Sequence, residues 1–140
     1  MSSALITMMS DETGFNEDPQ ISRPFHNGSG SAISKGDLVS IDVSVVTFGL
    51  GRSIKTSAAT VDDPIAVGIA YEDIPDGEIG QVVIRGVVVG ANVATGTAVG
   101  AGLQAIASAG RLGAAGGVTE HRLGVCLTLA AANVATVYLY

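Results

Sequence analysis

Six carboxylates, Asp62, Asp63, Glu72, Asp73, Asp76 and Glu78, fall within seventeen positions of one another. Hard oxygen ligands in such numbers could bind a calcium ion, and paired acids could split a glycosidic bond by acid–base catalysis. Either use requires the side chains to converge on one point. Here they flank Pro-, Gly- and Asp-rich turns, where carboxylates are ordinarily solvated. The two histidines, His26 and His121, are remote from each other and have no Cys or Glu at ligand spacing. The single cysteine, Cys126, excludes an internal disulfide and a cysteine-rich zinc site, and its apolar strand-like setting reads as a buried, inert thiol. Gly100-Ala101-Gly102-Leu103-Gln104-Ala105 carries the letters of a dinucleotide fingerprint. That mechanism needs a helix opening at the last glycine, and Gly110, Gly113, Gly116 and Gly117 deny it one, so these glycines read as turns. Asn27-Gly28-Ser29 reads likewise as a turn, and no serine sits in a recognisable nucleophile elbow. We therefore assign no catalytic residue, no metal site and no cofactor, and expect a non-enzymatic protein.

The elements that would position any such groups are short strands. The clearest is a hairpin, Ala66–Tyr71 and Gln81–Val89, closed by Pro75-Asp76-Gly77, in which Pro presets φ and Gly accepts φ > 0. A weaker copy returns at the end of the chain. Sliding by 56 positions places Val67–Tyr71 on Leu123–Leu127 and, without a gap, Val82–Ile84 on Tyr138–Tyr140. In the first copy, Ala66, Gly68 and Ala70 form a small-residue face that suggests close approach by another sheet or subunit. Leu38 to Val46 alternates, with Val39, Ile41, Val43 and Val45 on one face and Ser40, Asp42 and Ser44 on the other, as in a half-buried strand. Phe48–Lys55 reads as a loop, Ser57–Val61 as a short strand, and Val93–Val99 and Leu103–Ala107 as two more. Arg111–Thr119 reads as a Gly/Ala-rich loop, and the chain closes through a turn at Ala131–Asn133. The expected class is a small all-β barrel or sandwich of seven or eight short strands.

Composition narrows the function further. Of 140 residues only 14% are charged, with 13 acids against 7 bases and 19 glycines. The bases are scattered, whereas a phosphate-tracking surface needs them clustered, which disfavours nucleic acid. The uncharged run Gly86–Ala109 is long enough to span a bilayer, but glycines and polar residues break it into short bursts, so no membrane segment is expected. The start of the chain lacks the basic region of a secretory signal. The low charge and the light core, with three Phe, three Tyr and no Trp, favour an assembly. Residues 1–33 form a separate zone, rich in turn formers yet carrying spaced apolar side chains. They read as an extended arm laid on a neighbouring subunit, and residues 34–140 as the body; removing 1–33 should then leave the body folded.

The body's pattern resembles the small capsid decoration (cement) proteins of tailed bacteriophages, of the DUF2190 type. The resemblance rests on Lys35-Gly36-Asp37-Leu38-Val39, on Val67-Gly68-Ile69-Ala70-Tyr71-Glu72-Asp73 with Asp76-Gly77-Glu78 and Val82–Val88, on Thr95–Leu103, and on Arg122–Leu127 through Val137–Leu139. It departs where Leu103, in place of an Asp, follows Gly102, and residues 1–33 have no counterpart. The resemblance implies a β-rich, commonly trimeric module on the outer surface of the virion. It would bind the major capsid protein near three-fold axes and stabilise the mature head against internal DNA pressure. On that reading Leu5, Ile6, Met8, Met9, Phe15 and Phe25 are the capsid contacts of the arm, and Tyr138 and Tyr140 are candidates for the homotrimer interface. Two readings compete with it: a carbohydrate- or host-binding β module of a head fibre or tail, and a sugar-acid-binding β-clip enzyme suggested only by Lys35-Gly36-Asp37.

Overall fold

The computed structural model describes residues 20–59, 63–116 and 122–140. Nine strands follow in chain order: β1 (Ile21–Asn27), β2 (Leu38–Ile41), β3 (Ser53–Thr56), β4 (Ala66–Ala70), β5 (Ile79–Asn92), β6 (Gly102–Ala105), β7 (Leu112–Ala114), β8 (Gly124–Cys126) and β9 (Val134–Leu139). The described residues are all-β, as the strand-and-turn pattern requires. The sheet runs β1-β3-β2-β4-β5-β9-β8-β6-β7, and β1 also pairs with β5, so the first five strands close into a barrel.

The duplication is deeper than the sequence slide indicates. The paths β3-β2-β4-β5 and β7-β6-β8-β9 have the same order, and they meet where β5 and β9 pair antiparallel. Hydrogen bonds repeat with them. Gly36 N–H donates to Ala70 C=O at 2.9 Å, and Gly100 N–H to Cys126 C=O at 2.7 Å. Ala70 N–H returns to Asp37 C=O, and Cys126 N–H to Ala101 C=O, both at 2.9 Å. The turn bond Glu78 N–H to Pro75 C=O (3.1 Å) is matched by Val134 N–H to Ala131 C=O (3.0 Å). The first turn reaches φ > 0 at Gly77 (83°), while the second does so at both Ala132 (53°) and Asn133 (60°), an asparagine being one of the few residues that tolerates that region. Beyond the turn the second copy is one residue shorter. Ile69 faces Val83 and Val125 faces Tyr138, so Val82, Val83 and Ile84 correspond to Val137, Tyr138 and Leu139, which corrects the ungapped slide.

At the same place in each hairpin a glycine lets two backbones nearly touch. A Cβ on Gly68 would collide with the carbonyl oxygen of Val83, and one on Gly124 with that of Tyr138. The small-residue face of β4 thus serves an approach by its own hairpin partner. Two apolar clusters fill the interior. Phe25, Ile33, Val39, Ile54, Ile74 and Val82 pack in one, and the other joins the two copies through Leu38, Ile69, Val83, Leu103, Leu112 and Val137.

Several strand limits differ from the sequence pattern for local reasons. The alternation beginning at Leu38 stops at Ile41, because Asp42 accepts Ser44 N–H (3.1 Å) and Oγ–H (2.6 Å) and turns the chain. Val43 and Val46 are exposed as a result, while Ser40 is fully buried and donates to Asp63 at 2.7 Å. β3 overlaps the end of the stretch read as a loop, and of the strand expected over Ser57–Val61 residues 57–59 are not in a strand while 60 and 61 lie outside the described residues. Val93–Val99 is a turn held by Thr97, whose N–H and Oγ–H both reach Ala94 C=O, and β7 occupies part of the Gly/Ala-rich stretch. The arm boundary also moves. Residues 21–27 close the barrel, Ile33 is buried, and Asn27 is fully buried with its Nδ2 donating to Ser31 and Ile74 carbonyls, so residues 20–33 belong to the body.

Candidate functional site

The carboxylates that could do chemistry are spent on turns. Asp73 accepts Lys35 N–H at 2.8 Å, Asp76 accepts Gly30 N–H at 2.9 Å, and Glu72 accepts Gln81 N–H at 2.9 Å. Asp63 takes the Ser40 hydroxyl and Ile65 N–H. Each clamps a different piece of backbone, and among the described residues no three His, Cys, Asp or Glu side chains lie close enough to hold a metal ion. Asp62 and His121 lie outside the described residues. His26 bonds Ser53 Oγ at 3.0 Å and meets Phe48 edge-on, with ring centroids 4.7 Å apart. Cys126 is fully buried and its thiol donates to Thr128 C=O at 2.9 Å. Gly100 (φ 86°) ends the Ala98–Ala101 turn and feeds strand β6, so the fingerprint letters open no helix.

The fold displaces the titration of Asp37. Burial pushes its pKa above the ordinary value, while the Asn92 amide and the Arg111 guanidinium pull it back. Asn92 Nδ2 donates to Asp37 Oδ1 at 3.2 Å, and Arg111 Nε donates to Asn92 Oδ1 at 2.9 Å. A carboxyl with a raised folded-state pKa binds its proton more tightly in the native protein, so stability falls as pH rises through the raised value. Asp37→Asn keeps the acceptor for Asn92 and removes the buried charge. We expect the variant to lose that part of the pH dependence and to gain stability at pH 7 relative to wild type. Urea melts above and below the ordinary carboxylate range check this; parallel curves for the two proteins would contradict it.

The described surface also carries exposed apolar side chains and grooves. Between β2 and β3 the loop exposes Val43 (59%), Val46 (60%), Phe48 (54%) and Leu50 (75%). The sequence pattern divided this segment, giving Val43 and Val46 to the strand Leu38–Val46 and Phe48 and Leu50 to the loop Phe48–Lys55; two large apolar residues beside Gly49 and Gly51 were the available signal in the loop part. Beside it lies a groove of about 380 Å³ lined by Arg23, Pro24, Phe25, Gly51 and Arg52. A second groove, of about 550 Å³, runs between Gln20, Tyr71 and Val87–Val89. A third, of about 340 Å³, is apolar at its base and reaches Tyr140.

The predicted contact residues separate. Leu5, Ile6, Met8, Met9 and Phe15 lie outside the described residues. Phe25 does not belong with them: only 9% exposed, it packs in the barrel core, because its position on β1 turns the ring inward onto Val39 and Ile74. Tyr138 is half-buried in register between Val87 and Val125, and Tyr140 stands exposed at the chain end.

No protein-family model and no curated protein sequence matches the chain. Among solved structures, the head fibre gp8.5 N base of bacteriophage phi29 superposes with a TM-score of 0.62 at 13% identity, covering 87% of this chain and 95% of that one. The chain is therefore similar in fold, over nearly its whole length, to the base of a phage head fibre.

Proposed function

We propose that this protein is a structural component of a tailed-phage head, a decoration or cement protein seated on the outer surface of the capsid. The observation that carries the reading is the likeness in fold to a head-fibre base across 87% of the chain. The cement-like spacing of the duplicated hairpin and the exposed Val43–Leu50 loop support it. The mechanism is linkage: a module that binds the assembled, expanded lattice better than its free subunits stabilises that lattice by RT ln(1 + [L]/Kd). A homotrimer at a three-fold axis would hold three weak contacts at high effective concentration. The apolar side chains of Leu5, Ile6, Met8 and Met9 would supply anchors to the major capsid protein.

Expanded shells assembled from the cognate major capsid protein should bind the purified chain and melt at a higher temperature with it, while unexpanded proheads should bind it at least about tenfold more weakly. Equal binding to both, or none, rejects the cement role. The similarity to a head-fibre base also favours a second reading, a base that carries a host- or carbohydrate-binding element. Tight binding of a glycan by a chain that ignores shells would establish that reading in its place.

A further inference from the structure

The groove at Arg23 and Arg52 has a chemistry that the chain itself can complement. It is lined by the exposed Arg23, Pro24 and Arg52 with Gly51 and the largely buried Phe25, and the apolar Phe48 and Leu50 stand close by in sequence to its Gly51–Arg52 side. Neither guanidinium has a side-chain hydrogen bond or ion pair among the described residues. The groove also lies along an open strand edge. β1 pairs with β5 from Ile21 to His26, but with β3 only at His26 and Asn27, so among the described residues its other side has no partner from Ser22 to Phe25. His26 N–H donates to Arg52 C=O, which fixes the even-numbered residues of β1 as those facing this side. Pro24 is one of them, and it brings no N–H to the edge. Backbone pairing there is blunted, so recognition falls to charge and apolar contact.

We propose that this groove receives residues 11–18 of a neighbouring copy, Asp11-Glu12-Thr13-Gly14-Phe15-Asn16-Glu17-Asp18. The segment places four carboxylates around one phenylalanine, the inverse of a groove with two guanidiniums beside Pro24 and Phe25. Arginine forks suit carboxylates in this way. The same chain is poorly placed to fill its own groove. Gln20 donates its side-chain amide to Val87 C=O at 2.9 Å, so the chain enters β1 from the far end of β5. A tight reversal at Pro19-Gln20 needs φ > 0 there; proline is fixed near −65°, and Gln20 is not in the positive-φ region. A wider reversal sets Phe15 no farther along than Ser22, short of Pro24 and Phe25. Exchange between copies closes either reciprocally about a two-fold axis or head to tail into a ring. It stands apart from head binding and holds whether or not the protein decorates a shell.

The test uses the full chain in solution by sedimentation velocity. Wild type should self-associate, and 1 M salt, where the screening length falls to about 3 Å, should weaken the association. Arg23→Glu with Arg52→Glu should weaken it about tenfold or more, as should reversal of all four acids (Asp11→Lys, Glu12→Lys, Glu17→Lys, Asp18→Lys). Combining the two reversals should restore it, an outcome that a purely structural role for either set does not produce. Mixing an Asn16→Cys chain with a Leu50→Cys chain should give a disulfide-linked pair under oxidation. A wild type that stays monomeric, reversals that do not rescue each other, or a link that forms only within one chain carrying both cysteines would each overturn the proposal.

Discussion

Gly68→Ala and Gly124→Ala should each destabilise the protein by about 3 kcal/mol or more, enough to lower its melting temperature by roughly 10 °C. In both positions the added methyl meets a carbonyl oxygen of the partner strand, Val83 in the first hairpin and Tyr138 in the second. A flexible side-chain end could move aside at small cost; a backbone carbonyl in a buried ladder cannot move without carrying its strand. Relaxation would push β4 from β5, or β8 from β9, and open the apolar cluster shared by Ile69, Val83, Val137 and Leu139. Gly77→Ala is the control, since it places a methyl in open space and meets only the strain of φ 83°. Thermal melts of the three variants decide the matter. Losses at Gly68 and Gly124 no larger than at Gly77 would refute close approach as the reason for glycine.

Truncation should separate two lengths of the N-terminal region sharply. A chain starting at residue 34 is expected not to fold, while one starting at residue 20 should retain a cooperative melt. The shorter start removes none of the described structure. The longer deletion removes β1, opens the barrel between β3 and β5, and takes away Phe25 and Ile33 from the core. It also removes Asn27, whose backbone joins Glu78 and Gly77 and whose side chain satisfies the Ile74 carbonyl. Loss of buried large apolar side chains costs about 2–5 kcal/mol each, which for two of them rivals the ordinary stability of a domain this size, about 5–15 kcal/mol. Circular dichroism and denaturant melts read the result, and a folded chain from residue 34 would show β1 to be dispensable. On the proposed function, the chain from residue 20 should fold yet bind expanded shells more weakly.

What the sequence made legible was periodicity with its punctuation. The hairpin of β4 and β5 showed itself through dense Val and Ile on either side of Pro75-Asp76-Gly77, and the second hairpin through its likeness to the first. The paired glycines at 68 and 124 were visible too, though a sequence cannot say whose backbone comes near. Ser40 and Asp63 misled for a physical reason: polar residues signal a solvent face, yet these two satisfy each other in the interior. β1 was hidden because Arg23-Pro24-Phe25-His26-Asn27 carries proline and turn formers. Only its three-dimensional place, with Pro24 on an edge that has no partner among the described residues, makes that composition compatible with a strand. The groove could not be read at all, since Arg23 and Arg52 stand far apart in the chain and meet only when β1 comes alongside the start of β3.

The length of β5 has a bearing on how this molecule comes apart. Its first residues are staves of the barrel and its last ones carry the partner copy through β9, with Gly86 (φ 104°) and Gly90 (φ 83°) bending one continuous strand. Repeated units that merely stack can fray one at a time; two units grown on a common spine cannot. Amide exchange in the two halves should therefore slow to one shared rate set by global opening, with no half-molten species between.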